Sequence, residues 1–417
     1  MKSRPNRTNF YFFVFTLITL LFTQEINAQD QGFIYGSVLT ESGSTYTGPI
    51  RWGKEEVFWS DMFNASKRSN QNLDYLSDRE LDQLRTRQEE NTFISKFLNI
   101  EISWDREMSF VHEFAVAFGN IKEIENVGGS RILLTLKNGE TLRLGGSGYN
   151  DIGAKISILD QELGAVSISW SDLEKITFSQ TPRTLPQKFG DPLVGTVFSD
   201  IGEFTGLVQW DHDERVGSDK LDGDSRDGDL SIRFDQIRSI ERDGSNRSFV
   251  TLKSGRELSL SGSNDVNDGN RGIIVYVEGL GRVDIEWDEF DKVVFEDSKD
   301  SGRAFDTYKS PQKIKGTVVV DNGDRVVGNI IYDLDEAYDI EVLNGEDDDV
   351  KFFIPLGLIK EIKPRAGDRA QVLLKSGNEF MLEDSQDVSD EHQGVLVLSD
   401  RDPVYIPWDR IENLLLD

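Results

Sequence analysis

The sequence contains one eleven-residue stretch in three versions, Leu134-Thr-Leu-Lys-Asn-Gly-Glu-Thr-Leu-Arg-Leu144, Val250-Thr-Leu-Lys-Ser-Gly-Arg-Glu-Leu-Ser-Leu260 and Val372-Leu-Leu-Lys-Ser-Gly-Asn-Glu-Phe-Met-Leu382. In each version apolar and polar residues alternate on both sides of one glycine. Alternation with a period of two predicts strands, and a glycine between two such strands provides the positive φ of a tight hairpin turn. We therefore predict three equivalent β-hairpins with turns at Gly139, Gly255 and Gly377.

The same order of features follows each hairpin. A polar loop with a recurring aspartate comes first, then an apolar strand, and then a tryptophan; the recurring aspartates are Asp151, Asp265 and Asp387, and the tryptophans are Trp170, Trp287 and Trp408. An aspartate in such a loop is typical of an Asx-type turn, which needs one side-chain oxygen. A ligand site present three times is the alternative.

A second recurring piece lies upstream of each hairpin and contains Trp52, Trp210 or Tyr332. Both pieces close on apolar residues at every third position, which predicts a 3₁₀ turn leading into a last strand. These six turns begin at Phe118, Phe234 and Leu356 in the first halves, and at the three tryptophans 170, 287 and 408 in the second halves. Because Trp52, Trp170, Trp210, Trp287 and Trp408 recur, we interpret them as core residues.

These patterns predict an all-β protein of three tandem repeats, each of about 105 residues where no insertion is present. The repeats are predicted at residues 31–180, 190–297 and 313–417. A half-repeat of short strands, a glycine hairpin and a closing 3₁₀ turn resembles a small SH3-like or Sm-like barrel. Each repeat is then either two such barrels or one larger sandwich, and a likeness of this kind implies no function.

The first repeat contains an insertion at about residues 60–112. Ser77 and Glu80 have the spacing of a capping box, and Leu81 and Leu84 follow on one face. We expect a short α-helical insertion lying on the first repeat.

The composition excludes several classes of function. The 417 residues include 75 acidic and 46 basic side chains, which gives a formal charge of −29, and no cysteine. An acidic surface argues against nucleic-acid binding, which needs a basic face. Without cysteine there are no disulfides, thiol nucleophiles or cysteine-bound metals.

The N-terminus predicts export. Lys2, Arg4 and Arg7 precede the apolar run Phe10–Phe22, and Ala28 stands at the expected cleavage point. This order is typical of a secretory signal peptide over residues 1–28. We expect a periplasmic or secreted protein with no transmembrane segment in the mature chain and, because a cysteine is lacking, no lipid anchor.

Ligand-contact candidates are few. Trp59 and Trp104 lie in or beside the insertion and do not recur, so they are candidates for stacking on a ligand. Asp222, Asp224, Asp227 and Asp229 form a glycine-bent acidic stretch that is a candidate for calcium, although it departs from the EF-hand pattern. The alternative is a solvated acidic loop, and no other cofactor is expected. The three histidines, at 112, 212 and 392, lack metal-ligand spacing.

The sequence therefore favours an exported, non-catalytic β-repeat protein that acts as a binding or scaffold module for a protein or glycan partner. The alternative is a carbohydrate-active or other hydrolase that uses carboxylates near the insertion of the first repeat.

Overall fold

The computed structural model describes residues 30–67, 70–84, 112–146, 151–366, 368–399 and 402–417. In this part of the chain thirty strands form antiparallel sheets, and residues 78–84 form the one α-helix. The predicted all-β class is confirmed. Across the same residues, no helix is long and apolar enough to cross a membrane.

The strands fall into three consecutive sets of ten. The first set is β1 (Tyr35–Thr40), β2 (Thr45–Trp52), β3 (Met62–Lys67), β4 (His112–Ala117), β5 (Ile121–Asn126), β6 (Arg131–Leu136), β7 (Thr141–Gly145), β8 (Ile156–Asp160), β9 (Gly164–Ile168) and β10 (Leu173–Phe178). The second set is β11 (Val194–Ser199), β12 (Gly202–Trp210), β13 (Lys220–Ser225), β14 (Gly228–Arg233), β15 (Ile237–Arg242), β16 (Arg247–Leu252), β17 (Glu257–Ser261), β18 (Ile273–Val277), β19 (Gly281–Ile285) and β20 (Phe290–Phe295). The third set is β21 (Lys315–Val320), β22 (Arg325–Ile331), β23 (Val342–Asp347), β24 (Val350–Pro355), β25 (Ile359–Arg365), β26 (Arg369–Leu374), β27 (Glu379–Glu383), β28 (Val395–Leu398), β29 (Val404–Ile406) and β30 (Ile411–Leu416).

Each set forms one ten-stranded sheet, and the strand order is the same in all three. In the first set the order is β4-β3-β7-β6-β5-β10-β1-β2-β8-β9. The corresponding strands pair in the second and third sets. Strand β19 also pairs with β24, which joins the second and third sets into one sheet.

Strands from the two halves of a set pair with one another. In the first set β2, from the first half, pairs with β8, and β3 pairs with β7, both partners coming from the second half. The halves are therefore not separate units, and no closed barrel forms among the described residues. The likeness of a half-repeat to an SH3-like or Sm-like barrel is not confirmed and remains a prediction.

Glycines permit a close approach of three strands in each set. Gly36 of β1 pairs with Gly48 of β2. A Cβ atom at Gly48 would lie 2.0 Å from the carbonyl oxygen of Leu159 in β8, and the same approach recurs at Gly206, where the distance to the Tyr276 oxygen is 2.1 Å. Any larger residue at these positions would push the backbones apart.

The three predicted hairpins and five of the six predicted 3₁₀ turns are found. Gly139, Gly255 and Gly377 have φ values of 88°, 88° and 96° between paired strands. Five of the six predicted turns are 3₁₀ turns, and an ordinary turn replaces the one at Trp287. Nine 3₁₀ segments occur in the described residues: Asp30–Gly32, Gln71–Tyr75, Phe118–Asn120, Trp170–Asp172, Phe234–Gln236, Asn264–Val266, Phe305–Thr307, Leu356–Leu358 and Trp408–Arg410.

The core contains most of the recurring aromatic residues. One apolar cluster is centred on the first set, and another runs continuously through the second and third sets. Four of the five recurring tryptophans are at most 5% exposed, and Trp170 is half-buried. Their interpretation as core residues holds for those four.

The described part of the insertion, residues 70–84, lies on the third set, which corrects the expectation that it covers the first. Its inserted part begins after β3, so the predicted range 60–112 also contains that strand. One half of the predicted capping box is present: Glu80 Oε2 accepts the backbone N–H of Ser77 at 2.8 Å, and it also accepts the Ser77 hydroxyl at 2.7 Å. Leu84 then packs with Ile331, Leu334 and Leu396 of the third set. The leucine spacing indicated an apolar face but not the surface that it covers.

Candidate functional site

In each strand set a buried aspartate makes hydrogen bonds to an aromatic side chain and to the backbone of a strand. In the first set, the Trp52 indole N–H donates to the carbonyl oxygen of Asp151 at 2.9 Å. The Asp151 carboxylate accepts the backbone N–H of Asn64 in β3 at 2.5 Å. In the second set, Trp210 and the backbone of Asp222 make the corresponding bonds to Asp265.

The third set has the same arrangement with one substitution. The Tyr332 hydroxyl donates to the carbonyl oxygen of Asp387, and the carboxylate of Asp387 accepts the backbone N–H of Asn344 at 2.7 Å. The recurring aspartates therefore connect their loop to a distant strand. This corrects their interpretation as Asx-turn residues, since the carboxylates bond to that strand.

Burial changes the acidity of these aspartates. Removal from water raises the pKa of Asp151 and Asp387 to about 7, and that of Asp265 to about 6, against an ordinary value of 3.8. The accepted N–H bonds oppose this shift because they stabilise the ionised form. Near neutral pH each set thus holds a carboxyl group that readily takes up a proton.

A second acid recurs four residues after each of the aromatic residues Trp52, Trp210 and Tyr332. Glu56, Glu214 and Glu336 each have an Oε2 atom that is buried and without a hydrogen-bond partner. Burial is the main cause that raises the pKa of these acids, and neighbouring carboxylates add to it. The pKa of Glu214 is raised to about 8, and those of Glu56 and Glu336 are raised well above the ordinary value. The equal spacing in all three strand sets is a sequence signal that would have identified these residues.

One cleft in the described part of the protein brings several of these groups together. It has a volume of about 260 Å³ and lies between β4 and the third set. Its lining consists of Glu113, Phe114, Ala115, Glu336, Glu341, Val342, Asn344, Ser385, Gln386 and Asp387. Four residues with carboxyl groups, Glu113, Glu336, Glu341 and Asp387, therefore line one space. This space lies beside β4, the strand that follows the insertion.

Hydrogen bonds and one ion pair hold the walls of the cleft. Asn344 Nδ2 donates to Glu113 Oε2 at 2.9 Å, and Lys67 Nζ lies 2.5 Å from Glu341 Oε1. Burial lowers the pKa of Lys67, but Glu341 and Asp335 outweigh that effect and raise it, so Lys67 stays charged. Burial raises the pKa of both Glu113 and Glu341. These contacts tie the first set to the third.

The acceptor atoms in the cleft are not all satisfied. Asn344 Oδ1 is buried without a donor, as is Glu336 Oε2. Buried acceptors without partners are rare in proteins and carry a desolvation penalty. The arrangement suits a ligand that supplies hydrogen-bond donors or positive charge.

The ligand candidates named from the sequence lie elsewhere. Trp59 is fully buried, its indole N–H donates to Thr181 Oγ1 at 3.0 Å, and its ring lies 4.5 Å from that of Phe305. It is therefore a core residue and cannot stack on an external ligand. Trp104 lies outside the described residues.

The four aspartates proposed for calcium lie on the β13–β14 hairpin. Asp224 and Asp229 are opposite one another in the register, Asp222 precedes them on β13, and Asp227 lies in the turn. Their side chains are exposed. Within the described residues the one group of three acids with close ligand atoms is Glu55, Glu56 and Asp151, so the hairpin aspartates remain a prediction.

Two histidines have described side chains, and they make different contacts. His212 Nε2 lies 2.9 Å from Asp284 Oδ1. His392 stacks on Trp408 with a ring distance of 3.9 Å, and its Nδ1 accepts the Gly394 N–H. The side chain of His112 is not among those described. The two described histidines do not converge on one site.

Comparison of the chain with protein-family models, with curated proteins and with solved structures finds no match in any of the three.

The raised pKa of Asp387 predicts a decrease in stability with rising pH. Between about pH 4 and 7 the folded chain holds a proton at Asp387 that the unfolded chain has released, so folding is favoured on the acidic side. We expect a higher melting temperature at pH 5 than at pH 8 in the presence of a chelator. Asp387→Asn should reduce the difference between the melting temperatures at the two pH values, by an amount that corresponds to a few kcal/mol in the free energy of unfolding.

The exposed Glu257 provides the control for this measurement. Glu257→Gln removes the same formal charge and should leave the difference between pH 5 and pH 8 as in the wild type. An unchanged difference in Asp387→Asn would contradict the assignment of the titration to that carboxyl group.

Proposed function

We propose that the protein is an exported, non-catalytic binding module whose acidic cleft receives a cationic side chain of a partner protein. The observation that carries the proposal is the pair of buried, unpartnered acceptors, Glu336 Oε2 and Asn344 Oδ1, in a cleft with four carboxyl groups. A lysine ammonium offers three donors and a positive charge, so it suits acceptors of this kind and offsets the repulsion among the carboxyl groups.

The rigidity of the cleft supports a binding role. The Asn344–Glu113 bond connects β23 with β4, and the ion pair between Lys67 of β3 and Glu341 joins the same two strand sets. A preformed site loses little conformational entropy when it binds a partner. The high negative charge of the chain further favours the encounter with a basic surface.

Export is the second part of the proposal and rests on the N-terminal sequence. A partner is accordingly sought in the cell envelope or the medium. The probe is the chain from residue 29 onward, cross-linked in native envelopes, with captured proteins read by mass spectrometry.

Matched variants make this experiment specific to the cleft. The double variant Glu113→Gln and Glu336→Gln keeps the shape of the cleft and removes two carboxylates. The control variant Glu257→Gln removes an exposed carboxylate of β17 that does not line the cleft. We expect the wild type and Glu257→Gln to capture one basic partner, and the double variant to lose it. Capture by the wild type should be weaker at high salt, because salt screens the attraction between charges. Equal capture by the double variant, with its circular dichroism unchanged, would refute the role of the cleft.

A hydrolase is the second candidate, and one feature of the cleft favours it. Glu113 and Asp387 face the same space, their pKa values are both raised, and the charge of Glu113 contributes to the shift of Asp387. Two carboxyl groups of this kind can serve as acid and base. Hydrolysis of a glycan by the wild type, abolished in the double variant, would replace the binding proposal with this one.

A further inference from the structure

Three carboxyl groups converge at a turn of the first strand set, away from the residues that line the cleft. Glu55 and Glu56 follow β2, and Asp151 precedes β8. One oxygen atom from each lies within 4.8 Å of the others. Two oxygens bound to one calcium ion, each at about 2.4 Å, are separated by at most about 4.8 Å. The spacing thus fits three ligands of a single ion.

The buried carboxyl group of Glu56 is a separate observation that points to a ligand. Glu56 is 6% exposed, and its Oε2 atom has no hydrogen-bond partner. An ionised carboxylate in such a place has to be paired, coordinated or protonated. Protonation of Glu56 alone would still leave it between two other carboxyl groups.

The site is preorganised on one side and open on the other. Asn64 fixes the Asp151 carboxylate through its backbone N–H and its side-chain amide, the latter at 3.0 Å. The indole N–H of Trp52 donates to the backbone carbonyl oxygen of Asp151 and fixes its position. Glu55 is partly exposed, so solvent reaches this side of the group.

The guanidinium of Arg282 acts on this group of carboxylates and is bound to Asp284. Arg282 affects the pKa of both Glu56 and Asp151, but its Nη2 bonds to Asp284 Oδ2 at 2.9 Å, and its guanidinium lies 4.6 Å from the Phe353 ring centre. Burial raises the pKa values of Glu56 and Asp151, and the charge of Arg282 acts to lower them, while its Nη2 is bound to Asp284.

At the equivalent turns of the other sets, cationic side chains of the protein bind the acid at the position of Glu55. The position of Glu55 is taken by Asp213, which Arg271 binds at 3.0 Å, and by Asp335, which Lys67 binds at 3.2 Å. Side chains of this protein thus provide cations at the second and third turns.

We propose that Glu55, Glu56 and Asp151 bind one hard divalent cation, and that this cation is calcium. All three ligands are carboxylate oxygens, which suit calcium and magnesium and not the metals that prefer nitrogen or sulfur. Calcium accepts irregular sets of six to eight oxygens, whereas magnesium demands a near-ideal octahedron. Ligands from an adjacent pair and a separate loop fit the less demanding ion.

Calcium binding to the chain from residue 29 onward, first stripped with a chelator, tests the proposal by isothermal titration and by thermal melting. The wild type should bind one calcium ion at this site and melt at a higher temperature with calcium than with chelator. Terbium should report the same site through luminescence sensitised by Trp52. Magnesium should bind more weakly.

Glu56→Gln and Glu214→Gln form a matched pair, since they occupy the same position in two sets and both have an unpartnered Oε2. Calcium binding should be lost in Glu56→Gln and kept in Glu214→Gln. The partly exposed Glu55→Gln tests the site with less risk to folding, and should weaken binding by at least about tenfold.

Two results would overturn the proposal. One is a wild type that neither binds calcium nor melts differently with it. The other is calcium binding that persists in Glu56→Gln and Glu55→Gln but disappears in Asp224→Asn, which would place the ion on the β13–β14 hairpin.

Discussion

Replacing Arg215 with methionine should lower the free energy of unfolding by about 3–5 kcal/mol. Arg215 and Asp61 form a fully buried ion pair, with Nη2 and Oδ1 2.8 Å apart, that joins the second strand set to the first. The guanidinium also donates to the carbonyl oxygen of Val208 and lies against the rings of Phe58 and Tyr276. Without it, Asp61 remains as a buried charge with only two backbone donors.

Equilibrium urea unfolding measures this effect, and a second ion pair is the control. Arg51 and Asp219 also connect the first and second sets, at 2.8 Å, but their side chains are 15% and 18% exposed. Arg51→Met should therefore have the smaller effect, since water can solvate the remaining carboxylate. Adding Asp61→Asn to Arg215→Met should recover part of the loss. Equal effects of Arg51→Met and Arg215→Met would show that burial does not determine the stability of these pairs.

The recurring residues were predictable because each performs the same local task three times. The glycine of a hairpin needs a positive φ wherever the hairpin occurs, so Gly139, Gly255 and Gly377 reveal their strands by recurrence alone. The same holds for Trp52 and Trp210, which fill equivalent places in their sets. Recurrence identified the three aspartates as well, but not their partner strand, because a side-chain oxygen serves a local turn and a distant N–H equally well.

Contacts that occur once left no signal of this kind. Arg215 and Asp61 are 154 positions apart, and nothing near either residue indicates the other. Alternation likewise shows which side of β2 or β3 is buried but does not identify the neighbouring strand, so the pairing of strands between halves was not predicted. The cleft depends on both features, since it forms where β4 of one set meets β23 of another.

Trp210→Ala should lower the free energy of unfolding by about 3–5 kcal/mol. The Trp210 side chain is fully buried and packs edge-on against Phe290 and Trp287, with ring centres 5.3 and 6.2 Å away. Its removal leaves a cavity in the core that the second and third sets share. Urea unfolding followed by circular dichroism measures the loss without relying on the deleted fluorophore.

The third strand set predicts how the loss at position 210 depends on the new side chain. Tyr332 occupies the equivalent place and its hydroxyl donates to the backbone carbonyl of Asp387, as Trp210 donates to that of Asp265. Trp210→Tyr can keep this bond, whereas Trp210→Phe cannot and should be less stable than Trp210→Tyr by about 1 kcal/mol. Stability should therefore decrease in the order tyrosine, phenylalanine, alanine. If phenylalanine equals tyrosine, the aromatic volume alone stabilises this position, and the hydrogen bond to the recurring aspartate contributes nothing.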